Sequence, residues 1–145
     1  MKLYLAGPSR ELPRIVALRT ALVNAGHVVT SRWIDIILAE GSEHDKEISE
    51  ERLMECAAIN LYDLADAEMM VYVVESAGGK SVGAGVELGY QMRTCRDRIV
   101  VLNDVGGKAT LFALLAHRVD SVEKLLAYLD GWETSARTYE AAFSS

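Results

Sequence analysis

Apolar and polar positions alternate along the chain in blocks that switch between strand and helix periods. Lys2–Ala6 is a short apolar run closed by Gly7-Pro8, and it reads as a first strand. Pro13 then stands where the first turn of a helix tolerates it, with Ile15, Leu18 and Leu22 following at spacings of three and four. Gly26 stops that helix, and His27-Val28-Val29-Thr30 is β-branched enough for a second strand. Residues 41–46 are polar and turn-like. Ile48, Leu53, Ala57, Leu61 and Leu64 then predict a long amphipathic helix ending near Ala65.

Met69-Met70-Val71-Tyr72-Val73-Val74 is continuously apolar over one strand length, as expected of a strand buried on both faces of a parallel sheet. A glycine-rich turn is expected over residues 77–85, a helix over 86–93, and another buried strand at Arg98-Ile99-Val100-Val101-Leu102. Residues 110–116 read as a short helix or loop. Val122, Leu125, Leu126 and Leu129 mark a final helix that Gly131 is expected to end. Strands alternating with helices predict one three-layer α/β domain over residues 1–131 with a mainly parallel sheet of four or five strands, followed by a tail over 132–145. Tyr139 and Phe143 of that tail are candidates to close a neighbouring pocket.

Composition narrows the class. With 145 residues and 50% hydrophobic positions the chain can bury an ordinary core, about 70% of its unfolded surface. No apolar run reaches the length of a membrane span, and the N-terminus lacks the apolar core of a signal peptide, so a cytoplasmic location is expected. Cys56 and Cys95 lack metal-ligand or redox spacing. A formal charge of -6 argues against a nucleic-acid polymer as partner, because phosphate neutralisation needs clustered Lys and Arg. A small phosphorylated ligand needs only one or two.

In open parallel sheets ligands bind beyond the carboxyl ends of the strands. The loops there are residues 7–10, 75–85 and 103–110. Gly79-Lys80-Ser81 is not a phosphate loop, since Val74 occupies the place of the required first glycine. Gly83-Ala84-Gly85 is not a dinucleotide fingerprint, since Leu88 replaces the third glycine and the segment follows the third strand. What remains is a small-residue turn feeding a helix whose first turns carry Glu87. That carboxylate either sits in solvent or faces a ligand that Gly83, Ala84 and Gly85 leave room to approach.

Three patterns resemble the nucleoside 2-deoxyribosyltransferase superfamily, including its branch of 2'-deoxynucleoside 5'-monophosphate N-glycosidases. They are Lys2-Leu3-Tyr4-Leu5-Ala6-Gly7-Pro8-Ser9-Arg10, Asn60-Leu61-Tyr62-Asp63-Leu64-Ala65-Asp66-Ala67-Glu68 and Ser81-Val82-Gly83-Ala84-Gly85-Val86-Glu87-Leu88-Gly89-Tyr90. The resemblance spans Met1 to about Leu129 and implies a flavodoxin-like fold. It implies that Glu87 is a nucleophile attacking the anomeric carbon to leave a glycosyl ester, with Tyr4 holding it in position. Ser81 and Arg10 match phosphate-binding positions, which tilts the expected substrate toward a 5'-monophosphate. Gly7, Ser9, Gly83 and Gly85 belong to the matched loops. Trp33 is a candidate to stack on a base or to cap the sheet. Thr110 lies near a position supplied across a subunit interface.

The sequence departs from the family at Asn60, where the family has an aspartate assigned proton-transfer work; an amide delivers no proton as a carboxylic acid can. Asp63 and Asp66 stand too far along the chain to replace it simply. Pro8 and Phe112 stand where the nucleotide-cleaving branch has serines, and His117 reads as a surface or helix-end residue. The expected activity is cleavage of the N-glycosidic bond of a nucleoside or its 5'-monophosphate, without metal or organic cofactor, in a homodimer or larger homo-oligomer. The alternatives are base exchange by a deoxyribosyltransferase and, given Asn60, a nucleotide-binding module with little turnover.

Overall fold

The computed structural model describes residues 1–42, 46–76 and 81–144. Five strands, β1 (Lys2–Ala6), β2 (Val28–Val29), β3 (Met69–Val73), β4 (Ile99–Leu102) and β5 (His117–Val119), form one sheet in the order β2-β1-β3-β4-β5. Every pairing is parallel, with Leu3 opposite both Val29 and Met69, Val71 opposite Val100, and Val101 opposite Arg118. This is the flavodoxin-like arrangement expected from the sequence. β1, β3 and β4 are almost wholly buried, which is why their sequences are unbroken apolar runs.

Helices α1 (Leu12–Asn24), α2 (Trp33–Glu40), α3 (Glu50–Asp66), α4 (Val82–Cys95) and α5 (Val122–Phe143) connect or follow the strands. The chain steps from β1 to one neighbour, β2, and then reverses past β1 to β3. Right-handed crossovers therefore set α1 on the opposite face from α3 and α4, and open a crevice between the carboxyl ends of β1 and β3. The core joins Leu3, Leu5, Ile15, Leu22, Met69, Val71, Leu88, Val100, Leu125 and Leu129 across both faces. Among the described residues no helix is long and apolar enough to cross a membrane.

Four elements differ from the sequence expectation. Residues 33–40 form a helix, α2, although Trp-Ile-Asp-Ile-Ile-Leu-Ala-Glu carries no clear polar stripe. Gly83 and Gly85 lie inside α4 and not in a preceding turn, because the Ser81 hydroxyl caps the helix by accepting from the Ala84 N–H. A strand that the sequence pattern does not predict, β5, begins at His117, which is exposed as expected of a surface residue and stacks on Tyr128 with ring centroids 4.1 Å apart. Gly131 does not end α5, which runs 22 residues to Phe143 from its Ser121 cap. The Gly79-Lys80 pair and the Phe143 side chain lie outside the described residues, and Tyr139 is exposed on α5.

Candidate active site

The crevice between β1 and β3 opens into a cavity of about 360 Å³, a size suited to a small organic ligand. α2 and α3 supply one wall, with Trp33, Ile36, Ile37, Leu53 and Cys56, and Ile48 precedes α3. The strand ends supply the other: Gly7, Pro8, Ser9 and Arg10 after β1, Glu75 after β3, and Ser81, Gly83 and Glu87 at the start of α4. The large apolar lining residues therefore come mainly from α2 and α3, which also contribute Glu40, Arg52 and Asn60. Gly7 is small because a Cβ there would come within 2.8 Å of the Ile15 side chain and 3.1 Å of Val73, closing the passage of the loop over β3.

Glu87 sits on the inward face of α4 and is only 8% exposed. The fully buried Tyr4 hydroxyl, from the middle of β1, donates to its Oε1 at 2.8 Å, and the Asn60 side-chain amide donates to the same oxygen at 3.2 Å. Three patterns far apart in sequence, on β1, α3 and α4, thus meet at one carboxylate. Burial dominates its titration: loss of solvent raises the Glu87 pKa to about 7, against the hydrogen bonds from Tyr4 and Asn60, which favour the ionised form. The Tyr4 phenol is pushed up, first by its own burial and then by the neighbouring Glu87 charge, so it stays a donor. A buried carboxylate whose pKa lies near neutrality, held by two donors at the floor of a cavity, is equipped to act as a nucleophile or base.

The other carboxylates in the Asn60 region do not take the place of an acid at that position. Asp63 is buried but occupied by Arg32, accepting from its backbone N–H at 2.9 Å and from its guanidinium at 2.8 Å. Asp66 pairs with Lys2. Asn60 Oδ1 is buried and has no hydrogen-bond partner.

Trp33 caps the sheet and also borders the cavity. Its indole N–H donates to the Leu5 carbonyl at 2.8 Å, locking the ring, and the locked ring lines the cavity. Arg10 is exposed and holds no ion pair among the described residues. Ser81 lines the cavity while its oxygen accepts from Ala84, leaving its proton to donate. Gly85 does not line this cavity, and Thr110 lines a small adjoining one with Tyr72, Lys108, Glu75 and Ser81. Arg52 spans the mouth, with its guanidinium on Glu40 at 2.6 and 3.1 Å and on Glu55 at 2.8 Å. Among the described residues no group of three or more His, Cys, Asp or Glu could hold a metal ion.

The first turns of α1 fasten the loops together below the cavity. Arg14 donates to the Val74 carbonyl at 2.8 Å and pairs with Asp104. Glu11 accepts from the Ser76 N–H at 3.0 Å and from its hydroxyl. Gly107 presses on the same segment: a Cβ there would lie 2.3 Å from the Glu75 carbonyl oxygen.

No protein-family model matches the chain, and no curated protein matches it in sequence. The likeness to known proteins is one of fold, a five-stranded parallel sheet flanked by helices. It is shared with the structure of a 2-deoxyribosyltransferase from the psychrotolerant bacterium Bacillus psychrosaccharolyticus, at a TM-score of 0.70 and 18% identity over 87% of this chain and 90% of that one.

Proposed function

We propose that this chain breaks the N-glycosidic bond of a nucleoside or its 5'-monophosphate by nucleophilic attack of Glu87. The observation that carries the reading is the buried Glu87 carboxylate held by Tyr4 and Asn60 in a cavity lined by both apolar and polar side chains. The fold shared with a 2-deoxyribosyltransferase supports it.

In the proposed reaction the base lies against Trp33 and the Ile36-Ile37 wall, and the sugar lies toward Ser9, Arg10 and Ser81. Glu87 Oε2, the oxygen not engaged by Tyr4, attacks C1'. The C1'–N bond breaks, its electron pair leaves with the base, and the base takes a proton from solvent, since Asn60 gives none. The resulting glycosyl ester is then opened by water. Opening by a second base would make the same site a transferase, the alternative that the fold likeness favours. As Glu87 must be ionised to attack, kcat/KM rises with pH through about 7.

A homodimer is part of the proposal. Val82, Val86 and Tyr90 repeat every four residues on the outer face of α4, beside Leu111, Phe112 and Leu115, and all are exposed. Val82, 80% exposed, also lines the cavity, so a second copy covering this face would finish the mouth of the site. Light scattering should give a dimer that Val86→Glu dissociates; a monomeric wild type refutes this part.

The test is to incubate the protein with ribo- and deoxynucleosides and their 5'-monophosphates, with and without a second base, and follow base release by chromatography. Release by the wild type and none by Glu87→Ala is expected. Equal release by both, or none by the wild type, refutes the mechanism; appearance of the exchanged nucleoside identifies the transferase.

A further inference from the structure

Among the described residues three carboxylates line the cavity, and their states differ. Glu87 is held by Tyr4 and Asn60, and Glu40 is forked by Arg52. Glu75 is the third. It stands one residue beyond the wholly apolar β3, after Val74, at the carboxyl end of the strand beside the reversal point of the sheet, and its Oε2 is buried with no hydrogen-bond partner. The loop that begins at Glu75 is among those expected to face a ligand, while Glu75 itself carries no motif.

We propose that Glu75 is a specificity-determining residue that accepts a hydrogen bond from a free hydroxyl of the ligand's sugar arm and disfavours a phosphate there. The proposal rests on the glycosidic reading above and narrows its substrate. A buried acceptor oxygen without a donor is costly, and a bound ligand bearing O–H relieves that cost. The other orphaned oxygen in the cavity, Asn60 Oδ1, is also an acceptor, so the interior asks its ligand for donors. A phosphate brings only acceptors and negative charge, and beside Glu75 it meets like charge in a partly desolvated site. Among the described residues Arg10 is exposed at the mouth and Lys108 borders the annex, while the unpartnered carboxylate oxygen of Glu75 is inside.

The pose proposed above selects which hydroxyl. With C1' at Glu87 and the base on the α2–α3 wall, the exocyclic arm of the sugar projects toward the strand ends, where Glu75 and Ser81 both border the cavity and its small annex. An unphosphorylated 5'-hydroxyl fits this place, donating to Glu75 and accepting from the Ser81 hydroxyl. The expectation from Arg10 and Ser81 alone favours a 5'-monophosphate; Glu75 reverses it.

The experiment is a cycle between ligand and protein. Wild type and Glu75→Gln are titrated by calorimetry with a nucleoside, its 5'-deoxy analogue and its 5'-monophosphate, while base release is followed in parallel. In the wild type, removing the 5'-hydroxyl should weaken binding about tenfold, and the monophosphate should bind more weakly than the nucleoside. In Glu75→Gln the penalty for the missing hydroxyl should vanish, and the monophosphate should gain on the nucleoside, because the amide now offers a donor. An equal penalty in both proteins, or a wild type that prefers the monophosphate, overturns the proposal. Coupling in binding without base release would uphold the recognition and refute the cleavage reading; no binding of any ligand refutes both. Should Glu75→Gln fail to fold, the wild-type order of the three ligands decides alone.

Discussion

Replacing Glu87 by Gln separates the stability of the fold from the titration of its site. The carboxyl has an ordinary pKa of 4.5 in the unfolded chain and about 7 in the folded one, because burial disfavours its charge. Between these values the folded state holds the proton that the unfolded state has released. The unfolded state thus binds fewer protons, and stability falls as pH rises through the window. The shift is about 2.5 units, and at about 1.4 kcal/mol per unit the loss by pH 8 is on the order of 3 kcal/mol. Gln carries no proton to lose and can still accept from Tyr4. Its amide, however, meets the Asn60 amide, which must turn, so a net gain of roughly 2 kcal/mol is expected at pH 8 and little at pH 4.5. For a domain of this size that is a rise in Tm of about 4–8 °C. The assay is a pair of melting curves at pH 4.5, 6 and 8 in buffers of matched ionic strength, with each protein's other titrations cancelling in the difference. A Tm difference that stays constant across the three would refute the claim that Glu87 is buried and titrates near neutrality.

Other substitutions test the surrounding geometry. Tyr4→Phe removes a donor that favours the ionised carboxylate, so the acid limb of the pH–rate profile should move up by about one unit and kcat fall about tenfold or more, read from kinetics between pH 5 and 9. Asn60→Asp sets a second carboxyl against Glu87; the pair shares a proton near neutrality, and base release below pH 7 should rise, whereas an unchanged rate would assign proton delivery elsewhere. Gly107→Ala drives a Cβ onto the Glu75 carbonyl, and urea unfolding should report a loss of about 1–3 kcal/mol.

Much of the fold is legible in the chain because the central strands are buried on both faces and must be apolar throughout. The same logic explains what was hidden. α2 packs its apolar residues against the core and the cavity wall, so its sequence lacks the polar stripe that marks a surface helix. β5 has two exposed residues among three and no hydrophobic run to reveal it. Gly131 and the glycines of α4 are helix-disfavouring locally, but their neighbours and the caps Ser81 and Ser121 outweigh a cost of about 1 kcal/mol each. Of the candidate site, Tyr4, Asn60 and Glu87 meet through two hydrogen bonds to one carboxylate oxygen. Glu75 had only one signal, a carboxylate set directly after six apolar residues at a strand's carboxyl end. The engagement of Asp63 by Arg32 had none, since it depends on how α2 approaches α3.

The contacts of Glu11 and Arg14 give the cavity a mechanical character. One helical turn grips the segments that follow β3 and β4 and sits directly after the loop that follows β1, through groups that are partly shielded from solvent. These loops therefore cannot loosen one at a time. Amide protons of residues 74–76 should exchange in step with those near Asp104, with a protection well below that of β1 and β3. Removing both the Glu11 carboxylate and the Arg14 guanidinium by substitution would release them together. The site would then lose its shape while the sheet beneath it stayed folded.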